Sequence, residues 1–311
     1  MEAEIIHDNI GYSFAKRWGI KVDVQVYTLN AFAKEKHGGN PAGVVLDADS
    51  MLEEEMQKVA QKIGFSETAF VEKSSHADFK VRFFTPNHEV DLCGHATIAT
   101  FYLMVSQKLI RYGTYTLETK AGVLEVNVKE DGNVFLTQAL PQFYEEINKQ
   151  IIADSLLISS DELVYDLPIR IVSTGLRDIL VPIRNIDVLD KINPDFNQII
   201  EISKKYDVIG YHLFTLDTQT NAIARCRNFA PLFSIPEESA TGTANGALSC
   251  YLYKHGKIAS NQADQLIFEQ GYIMKSPSEI LARLSVNEKK DITKVEVGGT
   301  ASNIQVQKVK I

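Results

Sequence analysis

Glu67 is a carboxylate within residues 65–73, which read FSETAFVEK and are predicted to form a strand. Phe65, Ala69 and Phe70 favour burial, so the Glu67 side chain should be partly shielded from water. Shielding disfavours the charged form of a carboxylate and suits it to give and take a proton near neutral pH. Glu67 is therefore a candidate general acid/base. The residues alone also allow a structural carboxylate in a salt bridge or an exposed strand residue.

Two glycines, Gly94 and Gly242, each precede a run of small and apolar residues typical of a helix start. The first turn of a helix has unpaired N–H groups and a partial positive charge, and glycine lets a ligand approach them. The pair predicts a cradle for a small anion, although a glycine also permits a tight turn. His95 follows Gly94 directly and could bind a ligand or assist proton transfer, or could simply cap the helix or pack in the core.

The segments around these glycines resemble each other. VRFFTP at 81–86 is similar to CRNFAP at 226–231, and each is followed by an acidic turn, a glycine and a small-residue helix. Arg82 and Arg227 are 145 residues apart, and Gly94 and Gly242 are 148 apart. A single duplication with a three-residue difference explains both spacings and predicts two similar halves built of strands and helices.

Local patterns predict the elements that carry these residues. Ser50 to Glu53 has the Ser-x-x-Glu spacing of a capping box, the following apolar residues share one helical face, and Gly64 should end this helix. The other predicted elements are strands at 22–29, 44–46, 79–84 and 209–216, helices at about 95–107 and 193–206, and three strand-like segments between 114 and 136.

Composition excludes several classes of function. The chain has 311 residues, 45% of them hydrophobic, and a net charge of −8 without a long basic run, so nucleic acid is not an expected partner. No apolar stretch reaches the roughly 20 residues of a membrane span, and residues 1–20 lack the pattern of a signal peptide. Three cysteines without CxxC spacing fit a reduced compartment, and we expect a cytoplasmic protein.

Six motifs carry a resemblance to a known family. GGNPAGVV, SETAFV, FFTP with EVDLCGHAT, EESATGTA, EQGYIMKSPS and VGGTA occur in this order along the chain. Their order and spacing resemble the phenazine-biosynthesis PhzF-like isomerase family, from about Val22 to the C-terminus. The resemblance implies an α+β fold like that of diaminopimelate epimerase. Two pseudo-symmetric halves would each wrap a mixed β-sheet or barrel around a central helix, with the site in the cleft between them.

The domain boundaries follow from the repeat and the resemblance together. We expect an N-terminal half at 21–138, to which a last strand at 300–311 returns, and a C-terminal half at 139–299. The resemblance further implies a cofactor-independent enzyme and a homodimer. Its substrate would be a small molecule that bears a carboxylate, and neither nucleic acid nor membrane would be a partner.

The resemblance also implies roles for individual residues. Glu67 matches the glutamate that moves a proton between carbon atoms, and His95 matches a second catalytic residue. Glu238 replaces a catalytic aspartate with one more methylene, and Thr243 replaces a substrate-binding serine with an added methyl group. The remaining predicted substrate-binding residues are Asn40 of the GGNP motif, Gly94 and Gly242.

Two other functions remain open on sequence grounds. In a two-thiol racemase two cysteines flank the substrate carbon, and Cys93 could be the first, but its counterpart in the repeat is Thr241, whose hydroxyl is a far weaker acid. A non-catalytic small-molecule binder is the second alternative. The histidines lack HxH or HExxH spacing, and residues 38–40 lack the GxGxxG order, so neither a metal nor a nucleotide is expected.

Overall fold

The computed structural model describes residues 22–311 and divides them into two compact units. The first unit contains residues 22–31, 41–134 and 300–311, and the second contains residues 32–40 and 135–299. The sequence interpretation of residues 1–20 lies outside the described residues. Within 22–311, no helix is long and apolar enough to cross a membrane.

The first unit combines eight strands with two helices. The strands are β1 (Asp23–Ala31), β2 (Asn40–Val45), β3 (Thr68–Glu72), β4 (Phe79–Phe84), β5 (Glu89–Val90), β6 (Gly113–Thr119), β7 (Gly122–Val128) and β18 (Ala301–Lys310). The helices are α1 (Glu53–Ile63) and α2 (Gly94–Ser106). Strands pair in the order β18, β1, β2, β3, β4, β6, β7, with β5 also on β4; the β2–β3 and β4–β6 pairs are parallel.

Helix α2 is the central helix of the first unit. Its residues are mostly small or apolar, and nine of the thirteen are buried, so it presents apolar groups on almost every side. Such a helix is stable only where protein surrounds it. It packs against β1, β3 and β18, which fix the helix, and with it Gly94 and His95, in the first unit.

The second unit has ten strands and four helices. The strands are β8 (Val134–Gln138), β9 (Gln142–Glu146), β10 (Arg170–Ser173), β11 (Arg177–Pro182), β12 (Gly210–Thr215), β13 (Ala224–Ala230), β14 (Ile235–Glu238), β15 (Leu266–Gln270), β16 (Ser278–Val286) and β17 (Ile292–Gly299). The helices are α3 (Lys149–Leu156), α4 (Ile186–Lys191), α5 (Phe196–Tyr206) and α6 (Gly242–Lys254). Helix α6 packs against β10, β11, β16 and β17 and again has nine buried residues.

The two units repeat one strand order. In the first unit, β3 is parallel to β2, β4 is antiparallel to β3, and β6 is parallel to β4. In the second unit, β12 is parallel to β11, β13 is antiparallel to β12, and β15 is parallel to β13. The central helices α2 and α6 have thirteen residues each. This order matches the duplication that the sequence predicts.

An equivalent Arg–Glu ion pair occurs in each repeat, and the two pairs show where the second repeat has three additional residues. Arg82 Nε lies 2.7 Å from Glu89 Oε1, and Arg227 Nε lies 2.8 Å from Glu237 Oε1; in both pairs the second guanidinium nitrogen contacts the second carboxylate oxygen. The partners are 7 residues apart in the first unit and 10 in the second. The second unit has a 3₁₀ turn, Pro231–Phe233, in this interval, so the insertion is local.

Two local predictions need correction. The capping box predicted from Ser50 and Glu53 is wrong, because the helix begins at Glu53 with Leu52 as its N-cap, and the Glu55 carboxylate accepts a hydrogen bond from the Leu52 N–H group. Glu55, the third of three consecutive glutamates, has the N3 position that reaches back to the cap. The strand predicted to include Glu67 begins one residue later, at Thr68. Gly64 does end the helix, in the left-handed conformation.

Candidate active site

Glu67 is held between the end of one helix and the start of a strand. Gly64 ends α1 with φ of 73°, a conformation that few other residues adopt, and the chain then enters β3. The Gly43 N–H group of the parallel neighbour β2 donates a hydrogen bond to the Glu67 carbonyl oxygen at 3.2 Å. The backbone of Glu67 is therefore fixed although the residue precedes the strand.

The Glu67 side chain is mostly buried but incompletely paired. It is 15% exposed, and its Oε2 atom is buried and accepts no hydrogen bond from residues 22–311. A buried polar atom without a partner costs about 1–3 kcal/mol, so such an atom requires an explanation, of which a bound ligand or a catalytic role is one. Oε2 is thus an acceptor to which a ligand proton could bind.

His95 and Cys93 lie next to this carboxylate. His95 is 5% exposed; its Nε2 atom lies 3.4 Å from Glu67 Oε2 and 3.5 Å from Ser66 Oγ. The Cys93 Sγ atom lies 3.3 Å from His95 Nδ1. The structure therefore brings together the predicted residues Glu67 and His95, and adds Ser66, which the sequence analysis did not single out although it belongs to the same SETAFV motif.

The helix start at Gly94 has open space beside it. Cys93 is the N-cap in an extended conformation and makes no side-chain cap hydrogen bond. A Cβ atom added at Gly94 would meet nothing within 4 Å among the described residues, and the Gly94 backbone is not in the left-handed region. Neither packing nor a tight turn therefore requires glycine here, which favours a ligand that approaches the first-turn N–H groups.

The second unit has its own cluster of predicted residues, at the start of α6. The Asn40 side-chain amide donates to Glu238 Oε1 at 3.0 Å and to the Ala240 carbonyl oxygen at 3.1 Å. The Thr241 hydroxyl donates to Glu238 Oε2 at 2.7 Å. The Glu238 carboxylate, four residues before Gly242, is thus oriented through both of its oxygens.

A buried glutamine, Gln270, positions this cluster through hydrogen bonds. Gln270 Oε1 accepts a hydrogen bond from the Thr241 N–H group at 3.2 Å, and its amide nitrogen donates to the Glu238 carbonyl oxygen at 2.7 Å. The Asn245 amide, also buried, donates to Gln270 Oε1 at 3.1 Å and to the Thr241 carbonyl oxygen at 2.9 Å. Sequence analysis missed Thr241, Asn245 and Gln270 as positioning residues.

A neutral histidine extends the same network. His212 Nε2 lies 3.3 Å from Asn245 Oδ1, and its Nδ1 lies 3.2 Å from the Asn228 amide nitrogen. Complete burial lowers the pKa of His212 to about 4, so the ring stays neutral at physiological pH. It acts as a fixed hydrogen-bonding group and not as a proton carrier.

Gly242 and Thr243 differ from their counterparts in the first unit. A Cβ atom at Gly242 would lie 3.3 Å from Val297 Cγ1 and 3.4 Å from Phe32 Cζ, so packing contributes to the choice of glycine there. The Thr243 carbonyl oxygen accepts a hydrogen bond from Thr174 Oγ1 at 3.2 Å. The second helix start is therefore the more closely packed of the two.

Only the first repeat has a carboxylate at the Glu67 position. Thr68 pairs with Phe84 and Tyr211 pairs with Phe229 at equivalent registers, so Glu67 corresponds to Gly210. A Cβ atom at Gly210 would lie 1.9 Å from the Phe229 carbonyl oxygen, which excludes any side chain. The duplication has kept its acid/base candidate in one copy only.

Comparisons with known proteins agree with this architecture. The family model of phenazine biosynthesis-like proteins matches residues 29–306. An uncharacterized isomerase of Bacillus subtilis, YfhB, is 35% identical over 93% of this chain and 99% of its own. The trans-2,3-dihydro-3-hydroxyanthranilate isomerase of Pseudomonas fluorescens is 28% identical over 87% of this chain and 94% of its own.

A solved structure gives the same result for the fold. The crystal structure of a Bacillus anthracis phenazine biosynthesis protein of the PhzF family has a TM-score of 0.84 and 32% sequence identity, and the match covers 93% of this chain and 100% of that chain. The α+β fold predicted from the sequence, like that of diaminopimelate epimerase, is confirmed.

Proposed function

Because the chain belongs to the phenazine biosynthesis-like family, whose relatives are isomerases, we propose that this isomerase moves a proton between carbon atoms of a small carboxylate-bearing metabolite, with Glu67 as the general acid/base. The isomerase activity follows from the relatives. The mechanism and the substrate class are the proposal, and the buried Glu67 Oε2 atom, without a hydrogen bond within residues 22–311 and 3.4 Å from His95 Nε2, carries it.

Proton transfer through Glu67 balances without a cofactor. The ionised carboxylate takes a proton from a substrate C–H bond, and the electron pair of that bond moves into the conjugated system of the substrate. The protonated carboxyl group, whose acidic proton exchanges with water, then delivers a proton to another carbon atom. His95 contacts the carboxylate and would orient it or hydrogen-bond the substrate, while the open first turn at Gly94 would hold an anionic group.

The residues at the α6 start, in the second unit, are proposed as substrate-binding residues. Glu238 is fixed by hydrogen bonds from Asn40 and Thr241, so it is suited to accept a hydrogen bond from an amine or hydroxyl group. The N–H groups at Gly242 and Thr243 are suited to an anion. Where the PhzF-like pattern has aspartate and serine this chain has Glu238 and Thr243, so the substrate should differ in shape from that of the phenazine enzymes.

Exchange of a substrate C–H proton with deuterated water tests the mechanism. Trans-2,3-dihydro-3-hydroxyanthranilate, for which the Pseudomonas fluorescens relative is named, is the first compound to test, followed by amino acid and cyclic carboxylates. NMR should show deuterium incorporation with the wild type. Glu67→Gln keeps the shape but cannot accept the proton, so exchange should fall by about 10²–10⁴.

The outcome also separates the alternatives. Exchange that survives in Glu67→Gln would overturn the proposed acid/base role. A non-catalytic binder would retain a ligand and exchange no proton, an alternative that the isomerase relatives oppose. Homodimer assembly and a cytoplasmic location stay predictions from the sequence. Sedimentation of the purified protein tests the homodimer.

A further inference from the structure

Three metal-ligand atoms converge at Glu67. A carboxylate oxygen of Glu67, the Cys93 Sγ atom and a ring nitrogen of His95 all lie within 4.8 Å of one another. His95 Nε2 is 3.4 Å from Glu67 Oε2 and 3.9 Å from Cys93 Sγ. No sequence motif indicates this cluster, because Glu67 is far from the short Cys93-x-His95 pair along the chain.

The spacing of these atoms fits a tetrahedral ion. Zn²⁺ binds oxygen and nitrogen at about 2.0–2.2 Å and sulfur at about 2.3 Å, so neighbouring ligands of one ion lie about 3.3–3.8 Å apart. The two distances from His95 Nε2 are within about 0.1 Å of this range. The third distance, between the Glu67 carboxylate and Cys93 Sγ, is at most 4.8 Å, and side-chain rotation would have to bring it into the range. Thiolate and imidazole favour Zn²⁺ and similar transition-metal ions over Mg²⁺ or Ca²⁺.

Burial and the neighbouring space add independent support. Cys93 and His95 are buried, and the Glu67 Oε2 atom is buried without a hydrogen-bond partner among the described residues, so an ion would supply its missing contact. A thiolate and a carboxylate together bring two negative charges, which a divalent cation neutralises. Gly94, between the two ligands Cys93 and His95 in the chain, has no atom of the described residues within 4 Å of where its Cβ would be, and water or a ligand anion entering this space could supply a fourth ligand.

We propose that Glu67, His95 and Cys93 form a binding site for Zn²⁺ or a chemically similar divalent ion, and that the bound ion inhibits the isomerase by occupying the Glu67 carboxylate. Binding requires neutral His95 and the thiolate of Cys93, whose proton is released to solvent. The inhibition rests on the proposed function of Glu67, whereas the binding does not. The bound ion would therefore regulate the enzyme or bind without a role in catalysis, and it would not be a cofactor.

Co²⁺ titration of the metal-free, full-length protein tests the binding without any substrate. Tetrahedral cobalt gives intense visible bands, and a thiolate ligand adds a charge-transfer band in the near ultraviolet. We expect both, with one equivalent bound and displaced by Zn²⁺. Cys93→Ala should abolish the charge-transfer band, and Glu67→Gln and His95→Asn should each weaken binding by at least about tenfold, since even outer-shell changes cost 10- to 100-fold in affinity.

Control variants keep the test decisive. Cys250→Ala removes a buried thiol of α6 and should leave both bands unchanged. Melting curves establish that each variant is folded. A wild type without a thiolate band, or bands that persist in Cys93→Ala, would overturn the site; bands that depend on Cys93 but not on Glu67 or His95 would overturn the three-ligand arrangement. If cobalt binds and Zn²⁺ does not inhibit proton exchange, the proposed inhibition is wrong and the proposed metal site is retained.

Discussion

His95 Nε2 lies 3.4 Å from Glu67 Oε2, a buried oxygen that accepts no hydrogen bond from the described residues. His95 is on the first turn of α2, the central helix of the first unit. Thirteen consecutive helical residues, nine of them buried, fix the position of His95. The packing of α2 therefore sets the orientation of the residue beside the proposed catalytic carboxylate, and loss of His95 should change catalysis without changing the proposed proton carrier itself.

His95→Asn should lower proton exchange by at least about tenfold, because asparagine cannot reproduce both the contact with Glu67 and the ring nitrogens of histidine. The measurement is deuterium incorporation under saturating substrate, together with a melting curve. His255→Asn is the matched control, since His255 lies at the C-cap of α6, and it should leave exchange unchanged. Equal exchange in His95→Asn and wild type would remove His95 from the mechanism.

Cys93→Ala should retain most of the exchange activity, because in the proposed mechanism Glu67 carries the proton and the thiol only lies beside His95. In a two-thiol racemase this variant would lose exchange, although the counterpart of Cys93 is Thr241, which is an unsuitable acid. Deuterium incorporation by Cys93→Ala, measured in metal-free buffer to exclude inhibition by bound ions, distinguishes the two mechanisms. A loss as large as that of Glu67→Gln would favour the thiol.

Gly94→Ala should reduce activity without reducing stability. An alanine side chain here meets no atom of residues 22–311 within 4 Å, and the backbone conformation does not require glycine, so the melting temperature should stay constant or rise slightly. Its methyl group would occupy the space that we assign to the substrate anion, and kcat/KM should fall about tenfold or more. Both quantities are measured on the same preparation.

Gly256→Ala is the control with the opposite pattern. Gly256 has φ of 67° just after α6, so alanine should destabilise the fold by about 1 kcal/mol and leave kcat/KM unchanged. If Gly94→Ala behaved like Gly256→Ala, with lower stability and normal activity, the glycine at 94 would be structural and the anion site at this helix start would be wrong.

Local sequence patterns predict much of the fold because short-range physics determines it. The offsets between Arg82 and Arg227 and between Gly94 and Gly242 identify the duplication, and the strand predicted at 79–84 is confirmed. Glu67 could be selected because its apolar neighbours make a charge unusual there. The strand and the choice of Glu67 depend on residues within a few positions of one another, and the duplication depends on the similarity of two short motifs.

Contacts between distant segments could not be predicted in the same way. Asn40 and Glu238 are 198 residues apart, and Gln270 reaches Thr241 from 29 residues away. Nothing in the alternation or spacing of apolar residues specifies which buried amide will reach which carbonyl group. The Ser50 capping box also failed because three consecutive glutamates allowed Glu55 to cap the helix from a later start.

Thr241→Val should weaken substrate binding more than it slows chemistry. Thr241 donates to Glu238 Oε2 and accepts a hydrogen bond from the Gln270 amide, so valine removes both interactions while keeping a similar shape. A hydrogen bond to a charged group contributes about 1.5–3 kcal/mol, which corresponds to a rise in KM of about tenfold or more. Thr241→Ser keeps the hydroxyl and should restore KM; if serine and valine raise KM equally, Thr241 does not act through its hydroxyl.

Asp178→Asn should stabilise the protein increasingly as pH rises from about 4 to about 7. Asp178 on β11 is 2% exposed, its Oδ1 atom accepts no hydrogen bond within residues 22–311, and burial raises its pKa from 3.8 to about 7. Between these values the native state holds a proton that the unfolded state has released, so the free energy of unfolding of the wild type falls as pH rises, and the loss is complete above pH 7. Three pH units correspond to about 4 kcal/mol as an upper limit.

Urea unfolding of wild type and variant between pH 4 and pH 8 measures the difference, with the exposed Asp264→Asn as control. Parallel stability curves for wild type and Asp178→Asn would show that Asp178 is ionised in the native protein at neutral pH.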